Sequence, residues 1–304
     1  MSRAASVPFS RAGVLARLVV GFVVLMALLY SIAIGDTGPE NRQNGRAHAA
    51  ANGLNGYSSL AKLIEADGKD VTLSRSLGQL QTSELLILTP PRFADAEELA
   101  SIIEEREYLG PTLVIVPKWN ALPPQFFGQA KDPDDLKDGW GLLGGANAPV
   151  WADKEDGILA LGLERGGTPG VDSEGFGFPI GQIVSASDDE GEDEKERFDP
   201  TKNPQTFAMD ASIGGITGSL PTSIGFYSKD APDRVPLVQD QSGRTLAFSY
   251  EPDTYSGDPV DEDTEEAGPL NWVVFVVEPD LMNNWGIADE ARAAAALSIV
   301  RNMD

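Results

Sequence analysis

The chain has no cysteine and a single histidine, His48. The first absence excludes disulfides, thiolate metal sites and a cysteine nucleophile. The second excludes a zinc site built from several histidines of one chain. Bases are scarce as well, 23 against 47 acids, which gives a formal charge of −24 and a pI near 4.3. A field of that sign opposes association with phosphate backbones, so nucleic acid is not an expected partner. Phosphate cradles are missing: there is no G-x-x-x-x-G-K-[ST], and Gly68-Lys69 is followed by Asp70. After Gly175-Phe176-Gly177 the third glycine of a dinucleotide loop is replaced by Ile180. No serine sits in G-x-S-x-G, the turn that lifts a nucleophile above a sheet. No catalytic residue, metal or cofactor is therefore expected.

What is present is a chain of 304 residues, 41% hydrophobic, with 32 glycines and 21 prolines. That composition supports a core interrupted by many turns and argues against an all-helical bundle. Leu18 to Ile34 is a run of seventeen uncharged, mostly apolar residues. With its neighbours it reaches the roughly 20 residues that span a bilayer. Arg3, Arg11 and Arg17 precede it, and Asp36 and Glu40 follow. By the positive-inside rule this predicts a cytoplasmic stretch over 1–12, a transmembrane signal-anchor over 13–35, and everything beyond on the outer side of the membrane. A cleaved signal peptide is the alternative, because Ser31-Ile32-Ala33 and Ala47-His48-Ala49 carry small residues at peptidase spacing.

Residues 36–52 lack apolar periodicity and read as a stalk. From 53 to 117 helical and strand patterns alternate. Tyr57, Leu60, Ala61, Leu63 and Ile64 recur at helical spacing before Gly68, Lys69–Leu73 and Leu85–Thr89 read as strands, and Thr112–Val116 as a third. Asp95 with Glu98 has the form of a capping box ahead of Leu99, Ile102 and Ile103. The stretch 118–270 differs, with short apolar runs at Ile158–Leu163, Ile180–Val184, Ile224–Tyr227 and Leu246–Tyr250 between turn residues, and reads as an antiparallel, β-rich insertion with acidic loops. The first pattern resumes over 271–304, where Trp272–Val277 reads as a buried strand and Ile287–Val300 as a helix. Continuous apolar strands alternating with amphipathic helices predict an α/β fold with a parallel sheet covered on both faces.

Two acidic runs, Asp188–Asp199 and Glu251–Glu266, read as solvated loops. Calcium is the sharper alternative, as in an adhesion module, but neither run has the D-x-[DN]-x-[DN]-G spacing. Ligands of open parallel sheets gather at the carboxyl ends of the strands. Three strands end in polar residues there: Thr89 with Arg92, Lys118 with Trp119, and Glu278 with Asp280, Asn283 and Asn284. Arg92, Lys118, Asp280, Asn283 and Asn284 are the candidate ligand- or partner-binding residues, expected to share one crevice. Caps and turns would use the same residue types.

Gly53-Leu54-Asn55-Gly56-Tyr57-Ser58-Ser59-Leu60, the strand from Leu85 to Pro91, and Leu113-Val114-Ile115-Val116 form one group of residues. Val276-Val277-Glu278-Pro279-Asp280 with Leu281, Asn283, Asn284 and Asp289 forms another. Together they cover about a third of the chain and resemble a family of uncharacterised bacterial membrane proteins, domain of unknown function 4350. The resemblance implies a class I glutamine amidotransferase-like, flavodoxin-like scaffold without the Cys–His reaction, similar to domains in gliding and transport machinery. It also implies a place in the bacterial inner membrane and work in a membrane-associated complex linked to MoxR-type ATPases. Where family members commonly place Asn after the helix-opening Asp, Asp289 is followed by Glu290.

The expected protein is thus a single-pass membrane protein whose outer, noncatalytic domain binds a protein partner or small ligand. An extracytoplasmic hydrolase using carboxylates or a Ser–Lys pair is the alternative.

Overall fold

A computed structural model of the chain describes residues 20–26, 47–122, 142–152, 154, 156–167, 201, 203–251 and 270–304. Two compact units are present, Met1–Asn41 and Arg42–Asp304. In the first, residues 20–26 are helical. A stretch of that length rises about 10 Å, against a hydrocarbon core of roughly 30 Å. Among the described residues no helix is long and apolar enough to cross a membrane. This corrects the transmembrane segment at 13–35 and, with it, the single-pass inner-membrane placement. An uncharged run reports composition, whereas a span also requires one continuous helix over its length; the rest of 13–35 lies outside the described residues.

In the second unit local sequence sets the first elements. Helix α1, Ser58–Ala66, buries Leu60 and Ile64 on one stripe, and Gly68 follows it with φ +92°, a conformation glycine adopts without a Cβ penalty. Strand β1 is Leu86–Leu88. Helix α2, Ala96–Arg106, starts where the Asp95 carboxylate accepts the Glu97 and Glu98 amides at 3.0 and 2.9 Å, half of the anticipated capping box. Strand β2, Thr112–Ile115, is buried throughout. Residues 69–76 form no strand, contrary to the reading of Lys69–Leu73.

The following strands are β3 Trp119–Leu122, β4 Leu142–Ala146, β5 Leu163–Gly167, β6 Thr206–Met209, β7 Thr217–Ser219, β8 Ile224–Ser228, β9 Arg234–Asp240, β10 Thr245–Tyr250 and β11 Val273–Val276. Two helices close the chain, α3 Asn284–Ile287 and α4 Glu290–Met303; Asp289 caps α4 through the Ala291 and Arg292 amides. Ile180–Val184 and the acidic run at 188–199 lie outside the described residues, as does 252–266 of the second run.

The sheet corrects the flavodoxin-like, amidotransferase-like expectation. Among the described residues its nine strands run β1-β2-β11-β10-β9-β6-β7, with β8 also on β10 and β5 on β8. Only β1–β2 and β2–β11 are parallel, and every other pairing of this sheet is antiparallel. The unit is a β-rich mixed sheet in which the segment 118–270 supplies most of the strands. The parallel reading rested on continuous apolar runs, which report burial on both faces. Antiparallel β10 is buried on both faces too, with Leu246, Ala247 and Phe248 fully enclosed. Pro236 sits in β9 opposite Phe248, and the β9–β10 register shifts beside it, consistent with a residue that offers no amide to the ladder.

Period-two alternation sorts the central strands between two cores. Leu113, Ile115, Val274 and Val276 face α1 and α4 through Leu60, Ile64, Ala295, Ala296, Ile299 and Val300. Val114, Val116, Phe275 and Val277 face α2 and the 150–161 segment through Leu99, Ile103, Trp151 and Leu161. The carboxyl ends of β2 and β11 therefore emerge side by side between two packed layers.

Candidate functional site

Beyond β2, Pro117 leads into Lys118 and Trp119; beyond β11, Glu278 caps a 3-10 turn over Pro279–Leu281, and Asn283 caps α3 by accepting the Gly286 amide at 2.8 Å. The parallel pairing of β2 with β11 brings these two strand ends together across 162 residues of sequence. The Lys118 ammonium donates to Glu278 Oε1 at 2.5 Å, to Asp280 Oδ2 at 2.6 Å and to the Ile224 carbonyl at 3.0 Å. An ammonium has three donors, and all three are used. Asp280 Oδ1 accepts Trp119 Nε1 at 2.7 Å and Asn283 Nδ2 at 2.6 Å. Glu278 also accepts the Phe226 amide at 2.8 Å and the Asp280 amide at 3.1 Å.

The side chains of Lys118, Glu278 and Asp280 have no exposed surface. Burial penalises the Lys118 ammonium, yet the two carboxylates outweigh that penalty and hold its pKa above the ordinary value. Burial, reinforced by Asp280, pushes the Glu278 carboxyl up to about 7 against the pull of Lys118. Tyr57, at the start of α1, is raised by burial and then by the negative charge of Asp280 and Glu278. With one cation facing two acids, and every donor of the cation engaged, the cluster joins β2, β8, β11 and α3 into one rigid unit. It offers no solvent-facing group to a substrate. Among the described residues no group of three or more acids and histidines could hold a metal ion.

Of the five candidate residues, Lys118, Asp280 and Asn283 come together here, with Trp119 and Glu278. Arg92 does not enter the cluster. Its guanidinium donates to the Asn147 and Ala148 carbonyls, both at 2.8 Å, and Asn147 in turn donates its amide to the Lys118 carbonyl at 3.0 Å. Asn284 points the other way, binding the Ala51 and Gly53 carbonyls at 2.9 and 2.7 Å and accepting the Ser59 amide at 2.7 Å. It thereby fastens residues 51–59 to α3, and Ala51, within the stretch read as a stalk, is fully buried. Sequence reasoning missed the share of β8, because that strand contributes backbone groups, which every sequence possesses.

A second buried cation also escaped the sequence reading. Arg106, on the last turn of α2, is 1% exposed and holds the carbonyls of Glu84 at 2.8 Å and Pro111 at 3.0 Å, with Thr82 close by. It follows Glu104 and Glu105 in sequence, and nothing in that charged run marks it as the buried member.

No family model matches the chain, and no curated protein matches it. Among solved structures it is similar to one described as "mmIFT52 N-terminal domain", at 10% sequence identity and a TM-score of 0.41, with 81% of this chain and 88% of that chain covered.

Proposed function

We propose that the second unit is a noncatalytic module that binds a protein partner, as a component of a complex. The carrying observation is the closure of the strand-end cluster. At the place where an open sheet usually collects ligands, Lys118, Glu278 and Asp280 are sealed, and Lys118 spends all its donors on protein atoms. That arrangement stiffens the loops around it, and recognition falls to the surface those loops and strand ends present. Phe93, in the loop that follows β1, is displayed at 80% exposure, and at the other end of the same stiffened sheet Tyr108 and Trp272 stand out at 69% and 54%. Aromatic groups of this kind form the energetic centres of protein interfaces.

The test is site-specific photo-crosslinking of the full chain in its own cells. A photoreactive phenylalanine analogue is placed in turn at positions 93, 108 and 272, with position 62 on the exposed face of α1 as control. Protein adducts are expected from at least one of the first three and not from the control. A complete absence of adducts from all three would refute the reading.

A further inference from the structure

The opposite end of the sheet carries a ledge on which four strand termini stand in register. Thr112 of β2 pairs with Val273 of β11, Val273 with Tyr250 of β10, and Tyr250 with Arg234 of β9. The residues just outside this row are Trp272, Glu251 and Asp233. Asn271 ties the row to the end of α2, since its backbone and side-chain amides both bind the Glu107 carbonyl, at 2.8 and 2.9 Å. Trp272 and Tyr108 consequently follow directly from two segments bonded to each other. Both are exposed, at 54% and 69%, and Leu109 beside them is 41% exposed.

The ledge is acidic around its aromatic centre. Glu104 and Glu251 are exposed, and Asp233 is partly so. Tyr250 reports how close these charges come, because after burial the acids at Asp233, Glu107 and Glu104 raise its pKa, and only Arg234 opposes them. Arg234 does not neutralise the ledge. Its guanidinium is drawn inward to the carbonyls of Leu161 at 2.9 Å and Lys229 at 2.7 Å, to the Ala160 carbonyl, and lies over the Phe248 ring at 5.2 Å. Asp233 keeps only a 3.7 Å contact with its Nε.

We propose that the Trp272–Tyr108 ledge is the docking surface of this module and that its occupant is a cationic segment of a protein partner, arginine- or lysine-rich with interspersed apolar residues. The reading rests on the binding-module function above and gives it a place and a chemistry. Exposed indole and phenol faces attract a cation stacked on them, Leu109 offers apolar contact, and the surrounding carboxylates match the partner's charge. The overall charge of −24 adds long-range steering of the same sign.

The probe is a fluorescein-labelled decapeptide of alternating Arg and Leu, titrated with the full chain and followed by anisotropy; the same peptide with Glu for Arg is the control. Saturable binding of the arginine peptide and none of the glutamate peptide is expected. Combined Trp272→Ser and Tyr108→Ser should weaken it by about tenfold or more, the loss of one or two interface anchors. Lys62→Gln, on the exposed face of α1, should leave it unchanged. Thermal melts of each variant check folding, and exposed positions should shift them little. Binding that survives the double substitution and vanishes only with added salt would be bare charge attraction and would overturn the ledge. The crosslinking arms separate the two readings: adducts at 93 with none at 108 or 272 remove the ledge and leave a binding module, whereas no adducts at all remove both.

Discussion

Replacing Lys118 with Met removes the only cation from a fully buried group of two carboxylates. Each contact, at 2.5 and 2.6 Å, corresponds to a gross attraction of about 6 kcal/mol at an effective dielectric constant near 20. Most of that offsets the cost of taking the three charges out of water. The remaining effect of breaking such a group, with its acids left uncompensated, is about 3–5 kcal/mol. That is a large share of the roughly 5–15 kcal/mol that holds a domain folded. The loss is smaller when one acid goes with the lysine, because Asp280 keeps Trp119 and Asn283 as donors. Urea denaturation at pH 8 of the wild-type chain, Lys118→Met, Glu278→Gln and the double variant forms a closed cycle. Its coupling term should fall at about 1–3 kcal/mol in favour of the double variant. If Lys118→Met costs less than about 1 kcal/mol, or the two changes simply add, the cluster is not the keystone described here.

The same cluster predicts a pH dependence. The Glu278 pKa is raised from 4.5 to about 7 in the folded chain, so its protonated form stabilises the fold fully below about pH 4.5, and that contribution disappears as pH rises through about 7. Stability should decline between pH 5 and 8 by up to about 3 kcal/mol from this group, and Glu278→Gln should flatten that part of the curve measured by urea midpoints; an unchanged slope in the variant would assign the effect to net charge. Gly286→Ala should destabilise by about 2 kcal/mol or more, since a Cβ there runs into the Asp280 carbonyl oxygen. Calorimetry on that variant should show a lowered melting temperature, and an unchanged one would mean that α3 can shift freely. Arg106→Leu removes the guanidinium donor from the Glu84 carbonyl and leaves the Pro111 carbonyl with the Leu86 amide alone, a loss of about 1–3 kcal/mol. Hydrogen exchange should then quicken across residues 77–86 first, and uniform protection would contradict the anchoring role.

Local structure was legible wherever a short-range rule governs it. The Asp95 cap, the apolar stripe of α1 and the buried runs of β2, β10 and β11 follow from spacing alone, because neighbours three, four or two apart share a face whatever the rest of the chain does. The meeting of Lys118 with Asp280 and Asn283 was also readable, since polar residues at the ends of adjacent central strands have few other places to go. Its accessibility was not. Whether such a cluster is an open crevice or a sealed joint depends on β8, whose Ile224 carbonyl and Phe226 amide close it.

How the strands of 118–270 join the parallel ones in a single sheet lay beyond the sequence for a related reason. An apolar run records that both faces are covered, and β10 and β11 satisfy that condition equally well while pairing antiparallel. Likewise the apolar segment at 18–34 carried the composition of a span, whereas among the described residues no helix is long and apolar enough to cross a membrane. Arg92, expected in the crevice, found the Asn147 and Ala148 carbonyls first. Composition and periodicity thus determined which residues are buried and which segments are helical or extended, because those depend on each residue's own chemistry and its near neighbours. Only the tertiary structure decided how strands pair, which charges are sealed and which aromatic groups remain outside, because these depend on contacts between residues far apart in the chain.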